Sequence, residues 1–165
     1  MNCEGKVALV TGAAGSGLGR SIALTLAREG ARVIVNYRNS QANAQAIVTH
    51  IESCGGSARA VSIATHPVKL SPAYAYNTGK AARMHALLLA QDQAWSRGVT
   101  VNVIAPGPVA GIPDLDGAIE QYRHGTAWQK RTDVSPQDIA EGVAFLCSES
   151  GRFITGCVLP YLFHG

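Results

Sequence analysis

The sequence predicts an α/β fold in which helices wind around both faces of a parallel sheet. Three observations predict it: short β-branched runs alternate with helical repeats, glycines separate them, and 47% of the 165 residues are apolar while 15% are charged. Strands that are apolar throughout are typical of parallel sheets buried on both faces, and such strands are joined by right-handed crossovers. No linker or internal repeat divides the chain, so we predict one domain over residues 1–165.

The first half of the chain contains three predicted strands and two predicted helices. KVALVT is an apolar run that ends at glycines, and GLGRSIALTLAREG repeats its apolar residues at helical spacing until Gly30. ARVIVNY is a second strand, and Ser40 is the expected N-cap of a helix over QANAQAIVTHIESC that ends at Gly55 and Gly56. ARAVSIA is the third predicted strand.

The second half resumes with a long helix. Ser71 and Pro72 are its expected first residues, and it runs to about Ser96. VTVNVIAPG is a strand that breaks at Pro106. Residues 108–134 are predicted to form a mobile loop with one short helix. A capped helix is then predicted over SPQDIAEGVAFLCSES, and the last strand over CVLPYLF.

Composition and charge exclude several classes of protein. The net charge of +3 includes no run of five basic residues, which argues against nucleic acid and membrane surfaces and favours a small-molecule partner. The cysteines form no C-x-x-C pair and have no histidine at metal spacing, so we predict no metal site and reduced thiols. No signal segment and no apolar run of about 18 residues is present, which predicts a cytoplasmic protein.

The segment TGAAGSGLGR, residues 11–20, lies where a phosphate-binding turn is expected, between the first strand and its helix. Glycines let the backbone approach a pyrophosphate, and the helix N-terminus supplies N–H groups. The segment is not a nucleotide-hydrolysis loop, because Leu18 stands at the lysine position, and it is not a strict G-x-G-x-x-G. Its context favours dinucleotide binding over a merely tight turn.

Arg38 follows the second strand, where a site selective for NAD would have Asp or Glu to bind the ribose hydroxyls. A guanidinium at this place can form a forked pair with a 2′-phosphate. The sequence therefore favours NADP over NAD, with a solvated surface arginine as the alternative interpretation.

Tyr76 and Lys80 are four residues apart on a predicted helix and so share one face. Lowering the pKa of a phenol from about 10 by three units requires about 4 kcal/mol. One unit charge at about 4 Å supplies about that much at an effective dielectric near 20. Acid–base chemistry is therefore feasible, although the pair taken alone favours an aromatic ring packed under a lysine stem.

Four segments in order resemble the short-chain dehydrogenase/reductase family, and within it the 3-oxoacyl-carrier-protein reductase branch. They are the glycine turn, YNTGK, VTVNVIAPGPV, and PQDIAEGVAFLCSES with FITG. The turn is similar to the family's T-G-x-x-x-G-x-G with one extra residue, which implies that cofactor binding involves Thr11, Gly12, Gly17, Leu18 and Gly19.

The resemblance also implies roles for the other motifs. Tyr76 would donate a proton to a substrate carbonyl as hydride arrives from the nicotinamide, while Lys80 would bind the nicotinamide ribose and lower the tyrosine pKa. Pro106, Gly107 and Val109 match the turn that packs against the nicotinamide. The sequence departs from the family at Gly111, which is usually threonine, and at the C-terminal PYLFHG, where the family has an Asp-Gly-Gly turn.

Only about ten residues separate the third strand from the tyrosine helix, where the family has a fourth strand, a long helix and a fifth strand carrying a serine. At about 30 residues for each βαβ unit, about two βα steps are missing, including the family's catalytic asparagine. Ser62 and Thr65 bracket the serine position if AVSIAT takes the fifth-strand place. However, CGGSARAV resembles the start of strand three, which favours a structural role for both hydroxyls.

The predicted architecture is therefore a truncated, three-layer, Rossmann-like doubly wound parallel sheet with strand order 3-2-1-6-7 in the family's numbering. The first strand would pair directly with VTVNVIA, and MHALLLA would expose an apolar stripe.

One functional hypothesis is an NADP-dependent oxidoreductase that reduces a carbonyl or oxidises an alcohol on a small or acyl substrate. The other is a catalytically impaired, shortened relative that acts as a structural or regulatory partner, or a non-functional deletion product. A homo- or hetero-oligomer with a family member fits both.

Overall fold

The chain alternates strands and helices along its length. The computed structural model describes residues 2–15, 17–37, 41–51, 61–63, 74–109, 114–124 and 133–162. The elements within these ranges are β1 (Val7–Val10), α1 (Leu18–Arg28), β2 (Arg32–Val35), α2 (Gln41–Ile51), β3 (Val61–Ile63), α3 (Tyr74–Leu89), α4 (Gln91–Trp95), β4 (Asn102–Pro106), α5 (Leu115–His124), α6 (Pro136–Cys147) and β5 (Val158–Tyr161).

The described strands form two parallel sheets. β1 pairs with β2, with Leu9 opposite Ile34, and β4 lies between β3 and β5 in the second sheet. The predicted strand order is wrong on two points, because β3 pairs with β4 instead of β2, and β1 does not pair with β4. A short apolar strand fits several sheet positions equally well, so its own sequence does not select its neighbour.

The helices on one side of the sheets form a continuous layer. α1 packs on β1 and β2, α6 packs on β4, and the two helices pack on each other. All five residues of β4 are buried although successive side chains point to opposite faces, so both faces of β4 are covered. Since α3 also contacts β4, it covers the face that α6 leaves. The predicted three-layer α/β arrangement is confirmed in this part of the molecule.

Within the described ranges, nothing covers the α3 side of β1 and β2. Ala8 and Val10 point towards α1 and are buried, whereas Leu9 is 59% and Ile34 is 53% exposed on the opposite face. No helix in the described part of the chain covers that face. In the predicted MHALLLA stripe, Leu89 is 68% exposed whereas Leu87 and Leu88 are half-buried, so the stripe is exposed only in part.

The long helix predicted up to about Ser96 is interrupted. The Ala90 N–H donates hydrogen bonds to the carbonyls of both Ala86 and Leu87, and α4 begins at Gln91. Gly98 then ends the helical segment with a φ of +70°, a backbone conformation that favours glycine. The predicted helix therefore exists as two consecutive helices.

Ser135 caps α6 as the sequence predicts. Its hydroxyl accepts a hydrogen bond from the Asp138 N–H, and the Asp138 carboxylate accepts one from the Ser135 N–H at 2.8 Å. This reciprocal capping box satisfies N–H groups that an α-helix leaves unpaired at its start.

A polar network joins the end of α1 to α6. Arg28 donates to Glu141 at 2.6 Å and forms an ion pair with Glu29, while Gln137 donates to both Thr25 and Glu141. Burial raises the pKa of Glu141, but the hydrogen bonds from Arg28 and Gln137 outweigh it, so that the pKa is lowered overall. The network therefore stabilises the ionised carboxylate.

A buried amide links β4 to the segment before β5. Asn102 is 2% exposed; its Nδ2 donates to the Ile154 carbonyl at 2.8 Å, and its Oδ1 accepts from the Cys157 N–H at 3.3 Å. These bonds add to the parallel pairing that places Val103 opposite Val158. One side chain thus fixes the alignment of the two strands.

Candidate functional site

The glycine turn after β1 is closely packed against the start of α1. Gly12 has a φ of +69°, and its carbonyl accepts a hydrogen bond from the Gly15 N–H at 3.2 Å. A Cβ on Gly19 would lie 2.8 Å from the Gly12 oxygen and 3.0 Å from the Ala13 Cα. Only glycine at position 19 allows the helix to approach the turn this closely.

The N-terminus of α1 has the features of an anion-binding site. Its N-cap, Gly17, makes no side-chain capping hydrogen bond, and its first turn contains no acidic residue. Nothing lies within 4 Å of a Cβ built on Gly17, so the space beside the helix end is open on that side. The N–H groups and the partial positive charge of this helix end can therefore bind a phosphate.

The neighbouring residues position the turn. Thr11 is exposed directly after β1, while Ala14 is buried and its carbonyl accepts a hydrogen bond from Asn43 of α2 at 3.4 Å. The side chain of Leu18 packs against the hydrophobic core, so only its backbone can contribute to binding. Arg20 is buried in the first turn of α1 and adds positive charge near the helix end.

The end of β4 forms a second part of the site. Pro106 is buried as its last residue, and the Gly107 N–H donates to the Tyr161 carbonyl at 3.0 Å. A Cβ on Gly107 would lie 2.6 Å from Cδ2 of Leu162, so Leu162 packs directly against the turn. Val109 forms a parallel bridge with Val134 and so joins the following loop to the residue before the α6 N-cap.

Tyr76 and Lys80 lie on the same helix, α3, as predicted, and the side chain of Lys80 is half-buried. The side chain of Tyr76 lies outside the described atoms. Arg38 and Thr65 lie outside the described residues, and so does Gly111. Ser62 lies in β3, where its backbone is opposite Val103.

The position of β3 changes the interpretation of the two hydroxyls. The predicted strand order placed the third strand beside ARVIVNY, but β3 pairs in parallel with β4. The carboxyl ends of parallel neighbours meet at one edge of a sheet, so β3 ends near the Pro106 turn. The VSI segment therefore lies beside β4, as the family's fifth strand would, and the role of Ser62 or Thr65 as the catalytic serine stays a prediction.

Other parts of the described chain offer no competing centre. No group of three His, Cys, Asp or Glu side chains in it could hold a metal ion. None of the helices in the described ranges is long and apolar enough to cross a membrane. A cavity of about 230 Å³ is lined by Glu29 and Glu141, but both carboxylates already bind Arg28.

A glycine turn that leads into a helix within a parallel α/β fold is typical of dinucleotide-binding proteins. The chain belongs to the short-chain dehydrogenase/reductase family. A family model described as enoyl-(acyl carrier protein) reductase matches residues 44–161, and one described as short chain dehydrogenase matches residues 6–67.

Several relatives are reductases by name. The chain is 57% identical over 58 residues to a trihydroxynaphthalene reductase of Pestalotiopsis fici, and 53% identical over 58 residues to a tetrahydroxynaphthalene reductase of Pyricularia oryzae. Each match covers 35% of this chain and 20% of the relative. The matched segment therefore spans about a fifth of the length of these relatives.

Solved structures confirm the fold. A short chain dehydrogenase from Burkholderia cenocepacia in complex with NADP has a TM-score of 0.77 and 23% identity, covering 98% of both chains. A dehydrogenase/reductase from Sinorhizobium meliloti has a TM-score of 0.76 and 25% identity, covering 97% of this chain and 94% of the other.

Proposed function

We propose that this protein is an NADP-dependent oxidoreductase that reduces a carbonyl or oxidises an alcohol on a small or acyl substrate. The observation that carries the proposal is the uncapped N-terminus of α1, held against the turn by the Gly12–Gly19 contact. The reductase names of the relatives and the NADP bound to a structural neighbour support it.

The cofactor would extend from α1 to the end of β4. The backbone of Gly12, Gly17 and Gly19 would bind the pyrophosphate at the helix N-terminus, and Thr11 and Leu18 would contribute backbone groups beside it. Arg38 would select NADP by pairing with the 2′-phosphate. The turn at Pro106, Gly107 and Val109 would pack against the nicotinamide.

The chemistry proposed for α3 is proton transfer. NADPH, when bound, would supply the hydride for the carbonyl carbon. Tyr76 donates its phenolic proton to the carbonyl oxygen, which becomes the alcohol, and regains a proton from solvent. The Lys80 ammonium favours the phenolate by electrostatic attraction and binds the ribose. Ser62 or Thr65 would donate a hydrogen bond that polarises the carbonyl.

A second candidate function is that of a structural or regulatory partner without turnover. The uncovered face of β1 and β2 favours it, because Leu9 and Ile34 are large apolar side chains left exposed on a sheet that is covered on its other face.

Titration of the purified protein with NADPH, followed by cofactor fluorescence, separates the two functions. We expect a saturable increase, and its absence would leave only the second candidate. Arg38→Ala should weaken NADPH binding without weakening NADH binding, whereas the control Arg152→Ala, at an exposed site beside Phe153, should change neither.

The role of Tyr76 is tested by Tyr76→Phe in a carbonyl-reduction assay. The variant should lose turnover while its NADPH titration stays unchanged, because the phenol supplies a proton and little of the binding free energy. Turnover at the original rate would refute the assigned role.

A further inference from the structure

We propose that the uncovered face of β1 and β2 binds a strand–helix segment of another protein. The strand of this partner adds in parallel to the free edge of β1, and its acidic amphipathic helix packs over Leu9 and Ile34. The proposal depends on the sheet and not on cofactor binding or turnover, so it can fail independently of the proposed function.

The free edge of β1 presents backbone groups for pairing. The carbonyls of Lys6 and Val10 accept hydrogen bonds from the N–H groups of Arg32 in β2 and of Asn36 just after it, so the even-numbered residues along this strand bond to the β2 side. In a parallel pair the intervening residues point their N–H and C=O groups to the opposite edge. Val7 and Leu9 therefore direct theirs away from β2, and no strand in the described ranges pairs with that edge.

The exposed face of β1 and β2 carries an apolar patch on which a helix can pack. Leu9 and Ile34 lie opposite each other in register, so their side chains form one patch. They point to the side of the sheet on which α3 lies, because α1 occupies the other side. Side chains 77–89 of α3 are half-buried or exposed, which leaves room for a helix beside it.

The charges on this side of the sheets favour an acidic partner over a second copy of this chain. Arg32 is exposed on the same face of β2 as Ile34, and α3, which covers β4 on the same side, carries Lys80 and Arg83 but no acidic residue. A helix with Glu or Asp along its flanks complements these groups, whereas a second copy would bring the same positive charges to the interface.

The test uses a labelled synthetic peptide of roughly 30 residues, the length of a strand–helix unit. It has a Val/Ile strand, a glycine turn and a Leu/Glu amphipathic helix, and binding to the full chain is followed by fluorescence anisotropy. We expect saturable binding, weakened by at least about tenfold when lysine replaces every glutamate of the peptide. Equal binding of the two peptides, or no binding, would overturn the proposal.

Variants locate the surface. Leu9→Glu and Leu9→Thr should both weaken binding, and Leu9→Thr, which introduces an uncharged residue that favours strands, guards against misfolding of the charged variant. Phe145→Glu is the matched control, since Phe145 is an exposed apolar residue of α6 in the opposite layer. Weakening by Phe145→Glu equal to that by Leu9→Glu would overturn the assignment.

Two measurements on the isolated protein complete the test. The Leu9 amide should exchange with solvent quickly in the free protein and slowly with the peptide bound; slow exchange in the free protein would show an edge that is already paired. A homodimer that Leu9→Glu dissociates would show that a second copy occupies the face and would overturn the proposal.

Discussion

Replacement of Gly19 by alanine should destabilise the protein through a contact with the glycine turn. The new Cβ would lie 2.8 Å from the Gly12 oxygen, 2.9 Å from the Gly12 carbonyl carbon and 3.0 Å from the Ala13 Cα. These are backbone atoms, so no side-chain rotation can relieve the contact, and α1 must move away from the turn.

The magnitude follows from two opposing effects. Overpacking costs about 1–3 kcal/mol, while exchanging glycine for alanine in a helix gains up to about 1 kcal/mol. The net loss of stability should be about 1 kcal/mol. Gly79 is the matched control, since it is an exposed residue of α3 with nothing within 4 Å of a built Cβ. Gly79→Ala should therefore stabilise by up to about 1 kcal/mol.

The two variants should differ by about 2 kcal/mol in the free energy of unfolding. Urea unfolding followed by circular dichroism measures this difference, which corresponds to a separation in Tm of about 4–8 °C for a chain of this size. A Gly19→Ala protein as stable as Gly79→Ala would refute the argument that the helix and the turn are in close contact.

Three further predictions concern α6. Ser135→Ala removes the capping box and should lower the free energy of unfolding by about 1 kcal/mol, and an unchanged urea midpoint would contradict this. Because Glu141 has a lowered pKa in the folded state, its stabilisation is present above the unfolded pKa and is lost as the pH falls through the folded value. In Glu141→Gln the free energy of unfolding should fall less on acidification, by a few tenths of a kcal/mol. Identical pH dependence of the unfolding free energy in the two proteins would disprove this. A Cβ on Gly142 would lie 2.8 Å from Cζ of Tyr161, so overpacking less the helical gain from alanine should give Gly142→Ala a net cost of about 1 kcal/mol. Tyr161→Val should restore part of it, whereas strictly additive effects would exclude the contact.

Local features of the sequence predicted the elements and their ends. The glycine turn, the break at Pro106 and the Ser135 capping box each depend on residues a few positions apart, so the sequence contains all the information needed. The placement of Tyr76 and Lys80 on one helix was predictable for the same reason.

The partner of β3 was not predictable from its own residues. Val61 and Ile63 would suit a strand beside β2 or beside β4, and the choice depends on how distant segments pack. The interruption at Ala90 is similar, because alanine has the highest helix propensity and gives no local signal for a break.

Two contacts near the candidate site were also missed. Leu162 against Gly107 and Tyr161 against Gly142 join residues from distant parts of the chain. The second had a usable signal, since a glycine within a predicted helix commonly marks a close approach by another group. Nothing in the sequence named tyrosine as that group.

The buried amide of Asn102 has a consequence for misfolding. If β4 and β5 slipped by one residue, this amide would lose its bonds to Ile154 and Cys157 and would remain buried without them. Misaligned strand pairings, which can start fibrillar aggregates, are therefore disfavoured in the sheet that contains β4, while the β1 edge has no partner among the described strands. The Asn102 side chain therefore favours the native alignment of β4 and β5 while the sheet forms.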